Sequence, residues 1–286
     1  MRSIDLESLD IFRTVVSEGG IVRAAGKLNR VQSNVTTRIK QLEERLGLAL
    51  FRRQGRSLVL SPEGHLLLSY AERLFRLADE AESELRTGKP MGMFRIGSLE
   101  STAGSRLAPV LSRFHRLYPG VVVELVTGTT GALLQRVGNF EIEAAFVSEP
   151  FTAVGLQAMP VFDEELVLIT ARDVASISRA ASLQGLTLIA FANGCSYRKR
   201  LEEWLGASGV MPARTLEFGS YQAMIACVAA GTGFAVVPRS LLAALKATSD
   251  VRQHELPARV RRNRTHLVWN GSPSTALARL TTLLSA

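Results

Sequence analysis

Hydrophobic positions in the first ninety residues repeat with the period of helices, and that period then gives way to short β-rich runs. Leu6, Leu9, Phe12 and Val16 mark a helix over about 6–17, with Asp5 placed to cap it and Gly19-Gly20 to end it. Residues 21–28 predict a second helix, whose small Ala24 and Ala25 let a third approach closely. Asn29 and Arg30 turn the corner. On the third helix Val35, Ile39, Leu42 and Leu46 form the inward stripe, and Ser33, Thr36, Thr37 and Lys40 fall on the opposite side. "LFRRQGRSLVL" (50–60) predicts a β-hairpin turning at Gln54-Gly55. Ser61-Pro62-Glu63 then starts a helix that runs to about Arg86, with a capping hydroxyl, proline at the first position and an acid in the first turn. Its Leu67, Tyr70, Leu74, Leu77, Ala81 and Leu85 recur every three or four residues. That seam calls for a cover: a second copy of the helix, or the chain's own N-terminal helices.

Thr87-Gly88-Lys89-Pro90 reads as a hinge, and the pattern changes after it. β-rich runs are expected at 93–99, 121–126, 143–147, 165–170, 186–191, 214–218, 234–238 and 265–269. Helical patterns lie between most of them, at 102–118, 131–137, 196–207, 221–230, 238–245 and 274–284. Alternating β and α units imply a parallel or mixed sheet covered on both faces, an α/β architecture. Ligands in such sheets sit beyond the strand C-termini, where helix N-termini present free N–H groups. No internal repeat or low-complexity tract is present.

Charge sharpens the picture of the N-terminal part. The chain has 286 residues, is 47% hydrophobic and carries a net charge of +8. Nearly all of that excess lies in residues 20–60, where Arg23, Lys27, Arg30, Arg38, Lys40, Arg45, Arg52, Arg53 and Arg56 face only Glu43 and Glu44. A polyanionic partner is implied. The third helix suits a DNA major groove: small hydroxyls and an amide for base edges, cations for phosphate, acids on the later turns. Two cysteines, Cys195 and Cys227, exclude a disulfide framework and point to a reducing compartment. The first twelve residues carry Asp5, Glu7 and Asp10, unlike a signal peptide, and no apolar run of about 18 residues occurs. A cytoplasmic location with no membrane contact is expected.

These residues carry a resemblance to the LysR-type transcriptional regulators, from one end of the chain to the other. The carrying segments are "AA…L…VQSNVTTRIKQLEERLGLALFRR…RSLVLSPEGHLLL" (24–68), "FRIGSLEST" (94–102) and "AMIACVAAGTGFAVVPRSLL" (223–242); "RVQSNVTTRI" and "NGCSYRKRLEEWL" (193–205) suggest one subgroup. The resemblance implies a winged helix-turn-helix domain (1–61), a dimerising linker helix (62–87), a hinge (88–91) and a two-lobed effector domain of periplasmic-binding-protein type (92–286). Lobe I is expected at 92–162 and 266–286 and lobe II at 163–265, with the chain crossing near Phe162 and Thr265. It implies a sequence-specific regulator, assembled as a dimer or dimer of dimers on promoter DNA, answering to a small effector and contacting RNA polymerase. Two departures stand out. Many members have Arg at the position of Thr37, and many have a capping Ser where this chain has Gly20, a poorer cap by a few tenths of a kcal/mol.

Carried over position by position, Gln32, Ser33, Thr36 and Thr37 fall where family members touch base edges. The amide of Gln32 matches the adenine N6/N7 edge. Arg38 and Lys40, with Arg52, Arg53 and Arg56 of the wing, are expected on phosphate, setting affinity and salt dependence. The resemblance places an effector pocket between the lobes, and the candidates are Glu100, Ser101, Thr102, Thr129, Ser148, Asn193, Cys195, Ser196 and Arg198. The hydroxyls and N–H groups of "LESTAG" (99–104) and of 128–130 can meet a carboxylate. Arg198 either pairs bidentately with an anionic effector or forms a salt bridge to Glu202. Glu100 either holds an amine of the effector or pairs with Arg198. The effector is therefore expected to be anionic or zwitterionic. Cys195 is a small pocket-lining residue or, if its helix N-terminus and nearby cations lower its pKa, a redox sensor. Cys227 reads as core.

His65, His115, His254 and His266 show no metal-ligand spacing, and no cofactor is expected. The run "RVRRNR" (259–264) reads as a solvated loop or a second phosphate patch. Two rival readings stay open. One is an enzyme on the same two-lobed fold, which lacks any Ser/His/Asp set, phosphate loop or dinucleotide fingerprint. The other is an architectural DNA binder with no small-molecule input, which predicts a cleft filled by side chains.

Overall fold

The computed structural model describes residues 4–54, 57–87 and 90–285. They form two compact units, Met1–Gly88 with Asn139–Glu141 and Lys89–Gly138 with Ile142–Ala286.

The first unit is built on α1 (Leu6–Ser17), α2 (Ile21–Lys27) and α3 (Gln32–Leu46), then β1 (Phe51–Gln54), β2 (Ser57–Leu60) and α4 (Pro62–Thr87). Asp5 caps α1, accepting from the Ser8 N–H and the Ser8 hydroxyl at 2.8 Å each. Arg45 of α3 donates to the same carboxylate at 2.9 Å, so one acid both starts α1 and ties it to α3. Gly20 precedes α2 at φ 153°, ψ 162°, a region essentially reserved for glycine. The glycine is therefore a backbone requirement, not merely a weaker substitute for a capping serine. Leu9, Phe12, Ala24, Val35, Leu42 and Ala71 are fully buried together. Glu43 accepts from the Leu50 and Phe51 N–H groups at 2.7 and 3.2 Å and so seats the hairpin against α3. In that hairpin Phe51 pairs with Leu60 and Gln54 with Ser57; the expected turn residue Gly55 and the wing residue Arg56 lie outside the described residues.

Ser61 caps α4, its hydroxyl accepting from Gly64 N at 2.9 Å and donating to Ala49 O at 2.7 Å. The long seam of α4 divides. Leu67 is buried with Ala71 against the chain's own helices, whereas Tyr70, Leu74, Leu77, Ala81 and Leu85 stay exposed. Leu67 thus belongs to the internal core and not to the seam, because the first turns of α4 lie over α1 and β2.

The second unit runs β3 (Gly92–Ser98), α5 (Glu100–Thr102), a wider π turn (Ala103–Leu107), α6 (Ala108–Leu117), β4 (Val121–Thr127), α7 (Thr130–Gly138), β5 (Ala144–Ser148) and β6 (Leu156–Thr170). A 3-10 turn (Ala180–Leu183) leads to β7 (Thr187–Ala190), α8 (Ser196–Ala207), β8 (Arg214–Glu217), α9 (Tyr221–Ala229), β9 (Ala235–Pro238) and α10 (Arg239–Ala244). The chain closes with β10 (Arg252–His254), α11 (Ala258–Arg261), β11 (Arg262–Asn270) and α12 (Thr275–Ser285). The single helix expected over 102–118 is thus interrupted by the π turn.

The sheet is mixed. β4 and β5 flank β3 in parallel, β11 joins β5 antiparallel, and β6 joins β11 antiparallel. The far half of β6 then carries β9 and β10, while β7 and β8 pair in parallel and reach β9 through the Leu188–Phe234 bridge. β6 and β11 therefore serve two groups of strands, with separate cores around Phe94, Phe114 and Phe146 and around Leu168, Phe234 and Val237. Phe162 pairs with Thr265, and the ladder slips between Thr265 and His266, where Pro160 is accommodated. Proline is tolerated in such a strand at an irregularity of this kind. The run 259–264 is not a loop: it forms α11 and the start of β11, with Arg261 paired to Glu165 and Glu255 and Arg264 to Asp163.

Candidate nucleic-acid interface and ligand cleft

Burial of Val35, Ile39 and Leu42 turns the opposite face of α3 outward. Gln32, Ser33, Thr37 and Lys40 are exposed there, and Thr36 is half-buried with its hydroxyl donating to Gln32 O at 2.9 Å. Arg52 and Arg53 are exposed on β1. Much of the basic cluster is engaged internally. Arg30 and Arg38 share Glu7 at 2.8 and 3.5 Å, Arg45 holds Asp5, and Lys27 holds Glu18 at 2.7 Å. Arg38 therefore stands on the flank of α3 toward α1. Lys40, Arg52 and Arg53 enter no ion pair among the described residues. Glu7 sits below the usual carboxylate range, first because Arg30 hydrogen-bonds to it.

In the second unit, the parallel strands deliver the chain to a common edge. β4 leads to Gly128-Thr129, β7 to Phe191, and β8 to Phe218. A small inner cavity, about 10 Å³ and room for about one water, is lined by Glu100, Ser101, Thr129, Phe191, Cys195, Ser196, Tyr197 and Tyr221, among others. An outer cavity of about 390 Å³ shares Glu100, Gly128, Thr129 and Phe191, and adds Glu217 and Phe218. The two loops meet at Gly194, where Gly131 N donates to Gly194 O at 3.4 Å. A Cβ on Gly194, whose φ is +91°, would come within 2.9 Å of the Thr129 hydroxyl.

The expected pocket residues separate into those that line this cleft and those that do not. Glu100, Ser101, Thr129, Cys195 and Ser196 line it. Thr102 and Ser148 are buried outside its lining; Ser148 accepts from Asn263 Nδ2 at 2.6 Å, and its N–H donates to Thr130 at 3.3 Å. Asn193 is exposed and lines neither cavity. Arg198 also stays outside. It reaches Glu202 at 2.7 Å, Glu217 at 2.6 Å and the Phe191 carbonyl at 3.0 Å, so the salt bridge of its two readings is formed. Glu100 does not pair with it. One carboxylate oxygen of Glu100 accepts from Tyr221 N at 3.3 Å, and the other is buried without a partner. Burial pushes the Glu100 carboxyl above its ordinary pKa.

Cys195 is buried, and desolvation raises its thiol pKa despite the helix N-terminus, so its environment is that of a pocket-lining thiol and not of an activated one. Cys227 is half-buried at the margin of the core. Phe191, Glu217, Phe218 and Tyr221 were not anticipated. Their signal was positional, since Phe191 and Phe218 each follow the C-terminus of a parallel strand. Among the described residues no group of three or more His, Cys, Asp or Glu is placed to hold a metal, and no helix is long and apolar enough to cross a membrane.

Comparison with known proteins decides the family. Residues 6–65 match the bacterial regulatory helix-turn-helix of the lysR family, and residues 87–285 match the LysR substrate binding domain. The chain belongs to the LysR family. It is 39% identical over 254 residues to the HTH-type transcriptional regulator GltR of Bacillus subtilis (strain 168), covering 88% of this chain and 86% of that one. Its fold resembles a full-length OxyR variant from Pseudomonas aeruginosa, with TM-score 0.75, 21% identity and coverage of 100% of this chain and 94% of that one. Full-length CbnR complexed with its target DNA gives TM-score 0.68 and 21% identity, covering 99% of each chain. This LysR protein is thus a DNA-binding transcriptional regulator with an N-terminal helix-turn-helix and a C-terminal effector-binding domain.

Proposed function

We propose that this LysR regulator reads promoter DNA through Gln32, Ser33, Thr36 and Thr37, with Lys40, Arg52 and Arg53 on phosphate. The observation that carries this assignment is the outward face of α3, which is hydroxyl-rich and basic and not covered by its own unit. Two copies join through the exposed Tyr70, Leu74, Leu77, Ala81 and Leu85 of α4, and two such dimers span a dyad-symmetric site, as in the family pattern. A small molecule entering the cleft at Glu100, Thr129 and Phe191 shifts the population of quaternary arrangements and changes contact with polymerase. No catalytic step is assigned. No Lys, Arg or His lines either of these two cavities among the described residues.

The test is retardation of the protein's own promoter fragment against a scrambled duplex. Gln32→Ala with Thr36→Ala is expected to erase the preference while weak nonspecific binding persists. Undiminished preference would remove the base-reading assignment.

A further inference from the structure

We propose that the effector cleft selects a ligand bearing a protonated primary amine, which the half-buried carboxylate of Glu100 holds against the Phe191 and Tyr221 rings. The inference rests on the regulator reading above and names the chemistry of its effector.

Three observations converge. First, Glu100 has one carboxylate oxygen on Tyr221 N and one buried oxygen with no partner, at the boundary shared by the inner and outer cavities. A carboxylate taken from water without a counter-charge is costly, and a cation brought to it removes that cost. Second, no protein cation is positioned to do this. Arg198 is held by Glu202, Glu217 and the Phe191 carbonyl, and no Lys, Arg or His lines either cavity among the described residues. Third, the walls suit a cation carried on an apolar body. The Phe191 and Tyr221 rings lie 4.4 Å apart, and Phe218 lines the outer cavity beside Glu217, whose charge Arg198 meets at 2.6 Å. Aromatic faces attract ammonium groups through their quadrupole. A free anion meets the uncompensated carboxylate of Glu100 and no lining base here.

The outer cavity, about 390 Å³, lies at the lower end of the range used for small ligands. The ammonium can belong to a simple amine or to the amino end of a zwitterion. In the second case the carboxylate finds the N-terminus of α8, where Ser196 and Thr129 line the cleft.

The experiment is thermal shift and calorimetry on the full-length protein with two matched series. One is phenethylamine, L-phenylalanine, 2-phenylethanol and phenylacetate; the other is propylamine, L-alanine, 1-propanol and propionate. The ammonium-bearing members are expected to bind and to raise the melting temperature, while the alcohols and carboxylates do neither. The amine and amino-acid arms separate a simple amine from a zwitterion. Glu100→Gln is expected to lower affinity for the ammonium probes at least about 10-fold. Phe191→Leu is expected to lower it a few-fold, a second readout if the first variant folds poorly. Binding of the carboxylates in preference to the amines, or unchanged amine binding in Glu100→Gln, would overturn the proposal. So would failure of every ammonium probe in a protein that still distinguishes its promoter. Loss of promoter preference in the wild-type protein itself would instead overturn the regulator reading.

Discussion

Arg198 and Glu217 lie 2.6 Å apart, and Arg198 lines neither cavity of the effector cleft. Its guanidinium also holds Glu202 and the Phe191 carbonyl, so it braces the start of α8 against the ends of β7 and β8. Its role is to position the wall of the cleft and to neutralise Glu217. Arg198→Ala is therefore expected to lower stability by about 1–2 kcal/mol, mostly through the lost charge-assisted bonds, and to leave the response to ammonium probes intact or stronger. Urea denaturation and calorimetry on the variant check both halves. A normal stability with abolished ligand response would return Arg198 to the pocket.

Gly20 gives the sharpest test of the entry to α2. At φ 153°, ψ 162° it occupies a conformation that costs other residues about 1–3 kcal/mol. Gly20→Ser, which looks like an improved helix cap, is expected to destabilise the first unit. A rise in the denaturation midpoint would show that the backbone relaxes to accept the cap.

Leu67 and Leu77 sit on one helix in opposite environments, the first buried and the second exposed. Leu67→Ala empties a buried site and is expected to cost about 2–3 kcal/mol without changing the assembly. Leu77→Glu is expected to leave the fold alone and to split the dimer, read by sedimentation. Intact assembly in Leu77→Glu combined with Leu74→Glu would exclude the exposed seam as the contact.

Asp5 supplies a pH dependence with a defined sign. Backbone and hydroxyl bonds from Ser8, and then Arg45, hold its carboxyl at about 2, below the ordinary value of 3.8. The folded state therefore binds this proton less readily than the unfolded chain. The stabilisation is present above about 4 and is lost as the pH falls towards 2. Asp5→Asn is expected to flatten that part of the profile, and Asp5→Ala to cost about 1 kcal/mol at neutral pH as a lost helix cap. An unchanged acid limb in Asp5→Asn would place the titration elsewhere.

The first unit was legible almost to the residue because each boundary has a local chemical cause. Asp5 and Ser61 cap, Gly19-Gly20 breaks, and the buried stripe Val35, Ile39 and Leu42 obeys a single period. The second unit was legible only where strands are short and apolar. The first part of β6 gives no strand pattern because Pro160 interrupts it and its residues are mostly exposed or half-buried; β10 gives none because it is three residues long and wholly polar. The cleft was half legible. Helix starts identify Glu100, Thr129 and Ser196, but Phe191, Glu217 and Tyr221 reach it through strand pairing that no local pattern announces. Charge was the least legible property. The sum over residues 20–60 does not reveal that Arg30, Arg38, Arg45 and Lys27 are already held by Glu7, Asp5 and Glu18.

That internal pairing makes the salt dependence of DNA binding informative. Each cation that leaves water for phosphate contributes about 0.9 to the slope of log affinity against log salt. Lys40→Ala, Arg52→Ala and Arg53→Ala are each expected to reduce that slope by about this amount. Arg45→Ala is expected to lower stability and leave the slope unchanged. A slope that falls equally in all four would mean that the free-state ion pairs open on DNA.

The most direct test of the account is fluorescence anisotropy with the protein's own promoter fragment and a scrambled duplex of equal length, at one physiological salt concentration. The ratio of the two affinities is compared between wild type and Gln32→Ala combined with Thr37→Ala. Base contacts are worth about 1–3 kcal/mol each, so the ratio is expected to fall by at least about 10-fold while affinity for the scrambled duplex holds. A ratio that survives the double substitution would contradict the claim that the outer face of α3 reads the sequence.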